Sequence, residues 1–202
     1  MNVETARPAD ATEIASVARR TWHAAYGEFL SADAIDTTVD EWYAPASLRR
    51  SIDREGSLFV VAVDDDTAAE SESTESEASE ENGEADGRET HDRDGRIVGF
   101  LNAGYSESVG NVVLNRIYTL PDYWGTGVGT AMLGRVARRL VEAGYERISA
   151  VVLADNEVGR SFYDARAFEE IGRQTTTFGG EERDEVIVAA DLPELVDIDG
   201  GE

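Results

Sequence analysis

The 202-residue chain contains no cysteine and no lysine, and the absence of cysteine removes several kinds of chemistry. A protein without cysteine has no disulfide, no thiolate zinc site and no cysteine nucleophile. Imidazole comes only from His23 and His91, and His91 lies in a strongly acidic segment. The sequence therefore predicts a protein without a metal site.

The sequence also lacks a segment suited to a membrane. No apolar run approaches the roughly 20 residues that a membrane-spanning helix needs. Residues 1–5 show neither the basic start nor the apolar run of a signal peptide. We therefore expect a cytoplasmic protein that does not bind membranes.

Positive charge is scarce, because 18 arginines accompany 42 acidic residues and leave a formal net charge of −24. Residues 64–94 contribute −12 of this excess through fourteen acidic residues and two arginines, and the other 171 residues contribute the remaining −12. A nucleic-acid-binding protein needs a basic footprint. We therefore expect no nucleic acid among its partners.

An acidic chain without lysine indicates adaptation to a cytoplasm that contains molar salt, where charge repulsion is strongly screened. A GC-rich genome combined with one acidic segment would explain the arginine bias but not the acidity of the other residues. We expect the free energy of unfolding, measured by thermal or urea denaturation, to increase with potassium chloride concentration. Full stability and activity in dilute buffer, with no gain from added salt, would contradict the halophilic interpretation.

Hydrophobic periodicity predicts alternating strands and helices. The first helix follows Asp10 and Glu13, whose spacing is that of a capping box. The predicted strands are 3–7, 58–63, 96–103, 112–120, 148–153, 169–177 and 185–190, the last two forming a hairpin around Gly179 and Gly180. The predicted helices are 10–26, 31–52 with an interruption at Pro45, 128–143 and 156–165. This order indicates a mixed α/β sheet.

The acidic segment at about 64–94 has almost no apolar residues between two predicted strands. Such a composition cannot recover the entropy lost on ordering, so we expect the segment to be disordered. A long hairpin loop tolerates such an insertion because its closure entropy grows slowly with length. The chain is therefore expected to form one domain over 1–202, with a solvated insertion rather than a regulatory or partner-binding one.

The most informative segment is 121–130, which joins a predicted strand to a predicted helix. Three of its alternate positions are glycine, namely Gly125, Gly127 and Gly129. Glycines let the backbone approach a ligand closely, and a helix N-terminus supplies unpaired N–H groups and a positive dipole end. Together these features predict an anion site, most commonly for phosphate.

Two common phosphate loops do not fit this spacing. The dinucleotide fingerprint would need glycine at Thr130 or Met132. A P-loop that begins at Gly129 would need lysine and a hydroxyl residue at Arg135 and Val136. A turn without a ligand remains the structural alternative.

The remaining pattern resembles the GNAT superfamily of acetyl-CoA-dependent N-acetyltransferases. The family motif Arg/Gln-x-x-Gly-x-Gly/Ala aligns with residues 124–129, where Trp124 replaces the usual arginine or glutamine. A second family segment, Asn-x-x-Ala-x-x-x-Tyr-x-x-x-Gly-Phe, aligns with residues 156–168. Asn156, Tyr163 and Phe168 match it in register, while Gly159 and Ala167 replace other small residues.

The resemblance implies an α/β (α+β) fold with a mixed, mostly antiparallel central sheet of six to seven strands and about four helices. It implies that acetyl-CoA is the co-substrate and that a primary amine of a small molecule, a protein N-terminus or a lysine attacks it directly in a ternary complex. Homodimers are common in the family. The alternative function is a catalytically degenerate GNAT fold that binds acyl-CoA as a sensor or interaction module.

The resemblance also implies roles for individual residues. Tyr163 would protonate the leaving thiolate, and a backbone N–H near Tyr118 or Thr119 would hold the acetyl carbonyl. The expected cofactor-binding residues are Tyr118, Thr119, Trp124, Gly125, Thr126, Gly127, Val128, Gly129, Thr130 and Asn156. Trp124 is expected to pack against the cofactor or a helix, and Asn156 to hold the pantetheine arm, cap its helix, or do both.

The general base stays open at the level of sequence. Many relatives carry a glutamate early in the fourth strand, where this chain has Val112 and Val113. The remaining candidates are Glu107, Tyr118 and Tyr26 acting through water. Trp22, His23 and Tyr26 fall where GNAT proteins often place substrate-pocket residues, although Trp22 and Tyr26 also fit the core face of the first helix.

Overall fold

The predicted strands lie side by side in one sheet in a computed structural model, which describes residues 1–65, 94–178, 180–196 and 198. The elements in chain order are β1 (Asn2–Thr5), α1 (Ala11–Tyr26), α2 (Ala32–Trp42), α3 (Pro45–Ile52), β2 (Ser57–Asp64), β3 (Arg96–Ser106), β4 (Asn111–Thr119), α4 (Val128–Glu142), β5 (Arg147–Leu153), α5 (Glu157–Asp164), β6 (Glu169–Phe178), β7 (Glu181–Asp191) and α6 (Leu192–Val196). The sheet order is β1-β2-β3-β4-β5-β7-β6. Neighbouring strands are antiparallel except β4 and β5, which are parallel.

This architecture confirms the predicted mixed, mostly antiparallel sheet of the α/β class. The described residues form six α-helices, two more than the sequence predicted. The region 31–52 is divided into α2 and α3, because Pro45 takes the first position of a new helix, where its missing N–H costs nothing. The five-residue α6 was not predicted, since it is too short to show a helical period.

Helices cover both faces of the central strands. Phe100 on β3 contacts the ring of Tyr43, which follows α2. The adjacent Gly99 faces Met132 of α4. Because successive residues of a strand point to opposite faces, α1–α3 lie on one side of the sheet and α4 on the other. The interior of β3 is accordingly buried from Ile97 to Ala103.

Strands β4 and β5 separate soon after they pair. Their register contains three pairs, from Val112↔Ile148 to Leu114↔Ala150, whereas β4 continues to Thr119. On its other side, β4 carries a bulge at Asn115, because Asn102 pairs with Arg116 and Ala103 with Leu114. A bulge bends its strand, and here it lies where the two parallel strands part. The result is a gap in the sheet along the second half of β4.

The predicted capping box at the start of α1 is wrong. Asp10 Oδ2 accepts the backbone N–H of Arg7 at 2.7 Å, across a 3₁₀ turn over Pro8–Asp10. Glu13 Oε1 accepts the N–H of Ile97 at 2.7 Å, at the start of β3. Glu13 therefore serves a partner distant in sequence, which local spacing does not reveal.

The predicted acidic insertion at about 64–94 lies outside the described residues, apart from Asp64, Asp65 and Asp94. Its position in the chain is nevertheless defined by the strands around it. β2 and β3 are antiparallel neighbours, and their register includes Asp64↔Arg96. The segment 66–93 therefore connects two adjacent strands of a hairpin.

Ala167 has a left-handed backbone with φ of 57°, the one positive φ at a non-glycine position among the described residues. It follows α5, at the position where the GNAT segment has glycine. A left-handed conformation costs a residue with a Cβ about 1–2 kcal/mol, of which the greater entropy of an unfolded glycine returns roughly 0.4–1 kcal/mol.

We therefore expect Ala167→Gly to raise the free energy of unfolding by about 0.5–1 kcal/mol in urea denaturation at fixed salt. Gly144→Ala is the matched control in the opposite direction, because Gly144 has φ of 87° and open space around its Cα. It should lower the free energy of unfolding by about 1 kcal/mol or more. A loss of stability in Ala167→Gly would show that its backbone is not strained.

Candidate functional site

The gap between β4 and β5 opens into a cavity of about 870 Å³. Its walls come from α1, the end of α2, β4, the glycine loop, α5 and the ends of β5–β7. The size falls in the range typical of ligand sites. It brings together most of the residues that the sequence singled out, including Tyr118, Thr119, Trp124, Gly125, Gly127, Gly129, Thr130, Asn156 and Tyr163.

The glycine loop forms the N-terminal end of α4 at one wall of this cavity. Gly125 and Gly127 have φ of 74° and 91°, which residues with a Cβ rarely adopt. Gly127 is the N-cap of α4, so the N–H groups of Val128 and Gly129 have no acceptor within the helix. With the positive end of the helix dipole, these groups form a site suited to an anion.

Position 129, the third glycine of the loop, requires glycine for a different reason, namely the space around it. A Cβ on Gly129 would lie 2.9 Å from the ring of Phe162, so glycine allows α5 to approach the first turn of α4. Val128 is fully buried, whereas Thr126 is exposed and donates from Oγ1 to Tyr123 O at 2.8 Å. Neither Val128 nor Thr126 lines the cavity, so any contribution they make to ligand binding comes from their backbone.

Trp124 ties the glycine loop to the end of β4. Its indole Nε1 donates to Thr119 O at 2.9 Å, and Thr21 Oγ1 donates to the same carbonyl at 3.1 Å. This part of β4 has lost β5 as a neighbour, and the two side chains satisfy the carbonyl. The indole therefore uses its single donor within the protein.

Arg166 is a site residue that the sequence analysis missed. Its Nε donates to Thr130 Oγ1 at 3.0 Å and its Nη1 to Phe162 O at 2.7 Å. The guanidinium lies 3.9 Å from the centre of the Phe162 ring. Burial lowers the pKa of Arg166, and no carboxylate of the described chain pairs with it. Among 18 arginines, nothing in the sequence distinguishes this one.

The position of Arg166 is electrostatically unusual. Thr130 belongs to the first turn of α4, where the helix dipole is positive and repels a cation. An anion between the helix end and the guanidinium would be attracted by both. The arrangement therefore strengthens the case for an anion site at the glycine loop.

Five tyrosines line the cavity: Tyr123, whose hydroxyl donates to Asp64 Oδ2, and a group of four, Tyr26, Tyr43, Tyr118 and Tyr163. The Tyr118 hydroxyl interacts with those of Tyr26 and Tyr43, and Trp22 Nε1 donates to Tyr43 Oη at 3.3 Å. Burial raises the pKa of all four phenols above the usual value. Each phenol is therefore protonated at neutral pH, and can donate a proton but cannot act as a phenolate base.

Asn156 caps α5 and also faces the cavity. Its Oδ1 accepts the N–H of Gly159 at 2.9 Å, and its side chain interacts with Tyr26. A Cβ on Gly159 would lie 2.5 Å from Asn156 Nδ2. Glycine in place of the alanine of the GNAT segment therefore leaves room for this cap.

Only some of the candidates for the general base and the substrate pocket line the cavity. Trp22, Tyr26 and Tyr118 line the cavity, whereas Glu107 is exposed in the turn between β3 and β4. His23 lies on the surface, with Nε2 3.0 Å from Asp36 Oδ1.

Glu185 is the one carboxylate of the described chain that lines the cavity, and the sequence analysis missed it. Its Oε2 accepts from Gln174 Nε2 at 2.7 Å. It lies beside β5 because β7 pairs with β5, with Leu153 opposite Glu185. Only the sheet order reveals this neighbour.

Neither a metal-binding cluster nor a helix able to span a membrane occurs in the parts of the chain that the structure describes. No group of three or more histidine, aspartate or glutamate side chains there could hold a metal ion. None of the helices in residues 1–65 and 94–196 combines the length and apolar character that crossing a membrane requires.

Comparison with known proteins identifies the family. The model of the acetyltransferase (GNAT) family matches residues 20–168. An uncharacterised N-acetyltransferase of Mycobacterium tuberculosis is 28% identical over 99 residues, which are 49% of this chain and 63% of that protein. A Sodalis glossinidius acetyltransferase is 29% identical over 75 residues, which are 37% of this chain and 51% of that protein. The matches thus span less than two thirds of these relatives.

Solved structures show the same fold at low sequence identity. The PaiA N-acetyltransferase of Thermoplasma acidophilum, solved with coenzyme A, has a TM-score of 0.69 and 19% identity, with 94% of this chain and 98% of that one covered. The ribosomal-protein-S18-alanine N-acetyltransferase of Escherichia coli has a TM-score of 0.60 and 16% identity, with 95% and 93% covered. Together with the family match, the glycine loop and the divided sheet, these results lead to one conclusion: the chain belongs to the GNAT family of acetyltransferases.

Proposed function

We propose that this protein is an N-acetyltransferase that transfers the acetyl group of acetyl-CoA to a primary amine of a small molecule, a protein N-terminus or a lysine. The observation that carries the proposal is that the glycine loop and the Tyr163 side chain line the same cavity, at the gap between β4 and β5. One wall thus offers an anion site and another a protonated phenol. Transfer from a thiol-linked, phosphate-bearing cofactor can use both, the first to bind the cofactor and the second to protonate the leaving thiolate.

The cofactor pyrophosphate would bind at the start of α4. Backbone N–H groups from Gly125 to Gly129 would hold its oxygens, with Thr126 and Val128 contributing through the backbone. Arg166, held by Thr130 Oγ1, would add a positive charge. Asn156 would contact the pantetheine arm with the part of its amide that does not cap α5.

The reaction would proceed by direct attack in a ternary complex. The neutral amine attacks the thioester carbon, and a backbone N–H near Tyr118 or Thr119 stabilises the oxyanion. The C–S bond then breaks, and the Tyr163 hydroxyl gives its proton to the thiolate of coenzyme A. The amine loses one proton, and this proton finally returns through water to the Tyr163 phenolate, so the products are the amide and the free thiol.

The proton from the amine needs a route out of the cavity. The phenols of Tyr118 and Tyr26 stay protonated because burial raises their pKa, so they relay a proton and do not retain it. The carboxylate of Glu185 lines the same cavity and is the proposed acceptor, reached through water. Glu107 does not fit this role, because it is exposed in the turn between β3 and β4 and does not line the cavity.

The competing function is a degenerate GNAT fold that binds acyl-CoA without turnover. Val112 and Val113, in place of an early strand-four glutamate, favour it. Screening amines and peptide N-termini for release of coenzyme A, alongside a thermal-shift assay for cofactor binding, separates the two. Cofactor binding with no turnover of any amine would support the sensor.

Tyr163→Phe should lower kcat by about 10²-fold or more, because it removes the proton donor, and leave the KM for acetyl-CoA within about twofold. Coenzyme A release measured with a thiol reagent gives both constants. Tyr145→Phe is the control, since Tyr145 is partly exposed beyond α4 and does not line the cavity. An unchanged kcat would remove Tyr163 from the mechanism.

The pH profile gives a second readout of the same residue. An ordinary tyrosine loses its proton near pH 10, but burial raises the pKa of Tyr163. The wild-type kcat should therefore rise as the amine deprotonates and show no basic decline up to about pH 10. A decline well below that pH would mean that a different acid protonates the thiolate.

Arg166→Gln should weaken binding of coenzyme A by about tenfold, since a charge-assisted hydrogen bond contributes roughly 1.5–3 kcal/mol. Titration calorimetry at fixed potassium chloride measures this affinity. Arg160→Gln on the exposed face of α5 is the matched control. Equal affinities in both variants would show that Arg166 only packs against Phe162.

The acidic composition supports the further proposal that the enzyme works in a cytoplasm with high salt. β6 is an edge strand of the sheet. It is the surface we propose for a homodimer through the C-terminal strands, as is common in the family.

A further inference from the structure

We propose that the amine acceptor carries a carboxylate on the same molecule, as an amino acid with an apolar side chain does, and that Arg116 and Arg54 bind this carboxylate. The inference rests on the proposed acetyltransferase function and names its substrate class. It begins from the charges around the cavity.

The cavity is positively charged in a strongly acidic chain. Its charged lining residues are three arginines, Arg54, Arg116 and Arg166, and one glutamate, Glu185. The chain as a whole has 42 acidic and 18 basic residues. Arg166 contacts Thr130 beside the glycine loop and is assigned to the cofactor. Arg54 and Arg116 therefore remain for the second substrate.

Neither Arg54 nor Arg116 is neutralised by a carboxylate of the described residues. Three arginines outside the cavity form such pairs, Arg19, Arg173 and Arg183, whereas Arg50 and Arg160 bond uncharged groups instead. Within the described residues no carboxylate pairs with either of these two cavity arginines, so both can pair with an anion that binds in the cavity.

Arg116 is held in place by contacts that leave its charge intact. Its Nη2 donates to Trp42 O at 3.1 Å, and its guanidinium lies 4.8 Å from the centre of the Tyr43 ring. A planar guanidinium fixed in this way presents its remaining N–H groups for a bidentate pair with a carboxylate. An ammonium group without a carboxylate would meet two like charges at the same place.

Polar side chains line the same cavity as the two arginines, namely Ser51, Asn102 and Asn115. Asn115 Nδ2 donates to Asn102 Oδ1 at 3.3 Å, and Asn102 Nδ2 donates to Ser57 Oγ at 2.8 Å. This network fixes the bulge of β4 immediately before Arg116. We call Ser51, Arg54, Asn102, Asn115 and Arg116 the polar corner.

The polar corner lies at a suitable distance from the reacting carbon. Arg116 and Tyr118 are two residues apart on β4 and both contact the Tyr43 ring, so they share one face of the strand. Two strand residues span about 6.6 Å. The acetyl group is proposed to lie at the Tyr118–Thr119 backbone, so an amine there has its carboxylate within reach of the long Arg116 side chain.

Aromatic rings supply the wall for an apolar side chain. Trp42 and Phe178 lie 5.3 Å apart between ring centres, and Trp22 lies 5.8 Å from Phe178. All three line the cavity, and Trp42 remains 38% exposed. A ligand with a carboxylate at the polar corner and an apolar side chain against these rings matches both surfaces.

The first test compares acceptors that differ only in the carboxylate. A panel of apolar amino acids, from alanine to tryptophan, is assayed against the corresponding amino acid amides and decarboxylated amines at saturating acetyl-CoA and fixed salt. Coenzyme A release gives kcat/KM, and mass spectrometry identifies the N-acetyl product. We expect the best amino acid to exceed its amide and its amine by about tenfold or more in kcat/KM.

The second test removes the arginines. Arg116→Gln and Arg54→Gln should each raise the KM for the amino acid by about tenfold and leave the KM for acetyl-CoA unchanged. The KM for the matched amine should stay the same or fall, because a like charge is removed. Arg116→Lys should recover part of the loss, because it restores the charge without the bidentate geometry. Arg50→Gln is the control, since Arg50 lies on α3, bonds Ser47 Oγ and does not line the cavity. Arg54 is exposed, so its variant keeps the test valid if Arg116→Gln is unstable.

The outcomes separate this inference from the proposed function. Acetylation of amines or amides with no preference for the carboxylate overturns the inference and leaves the acetyltransferase intact. If the protein binds no acetyl-CoA and turns over no amine, the proposed function fails first. If acetyl-CoA binds without turnover, calorimetry of each amino acid and its amine against the coenzyme A complex decides. A tenfold preference for the amino acid supports the inference, and equal affinities overturn it.

Discussion

The separation of β4 from β5 is the constraint on which the site depends. The strands share only the pairs from Val112↔Ile148 to Leu114↔Ala150, and the bulge at Asn115 bends β4 where they part. The backbone beyond the bulge has no strand on that side, which would leave buried polar groups unsatisfied. Side chains of Thr21 and Trp124 satisfy the Thr119 carbonyl. The space between the two strands is the cavity. A ligand there can form hydrogen bonds with the β4 backbone groups that have no neighbouring strand on that side.

Two of the segments that line this cavity were singled out from the sequence, but two of its charged residues, Arg166 and Glu185, were not. The glycine spacing and the Asn156–Tyr163 register are local patterns, and both blocks line the same space in the structure. Arg166 and Glu185 were missed because their roles depend on neighbours distant in sequence: Thr130 for one, and the pairing of β7 with β5 for the other. The capping box failed for the same reason, since Glu13 bonds Ile97, 84 positions away.

The cavity lining is positively charged, although the chain as a whole is strongly acidic. The arginines that line the cavity, Arg54, Arg116 and Arg166, outnumber its one carboxylate, Glu185, and none of the three has an acidic partner in the described residues. Arg116 and Arg166 are partly removed from water, which carries an energetic cost that a bound anion can offset. The two proposals thus explain different charges: high salt is proposed for the acidic composition, and anionic ligands are proposed for the positive cavity.

Trp124 replaces the arginine or glutamine of the family motif, yet a positive charge still lies beside the glycine loop. The indole N–H bonds Thr119 O, so it offers the phosphate nothing. Arg166 brings a guanidinium to the same helix end from α5, and this approach depends on Gly129, where a Cβ would meet the Phe162 ring at 2.9 Å. Gly129 thus matters to the anion site through the helix that it admits. In the proposed anion site the positive charge therefore comes from Arg166, which follows α5, and not from the first position of the motif.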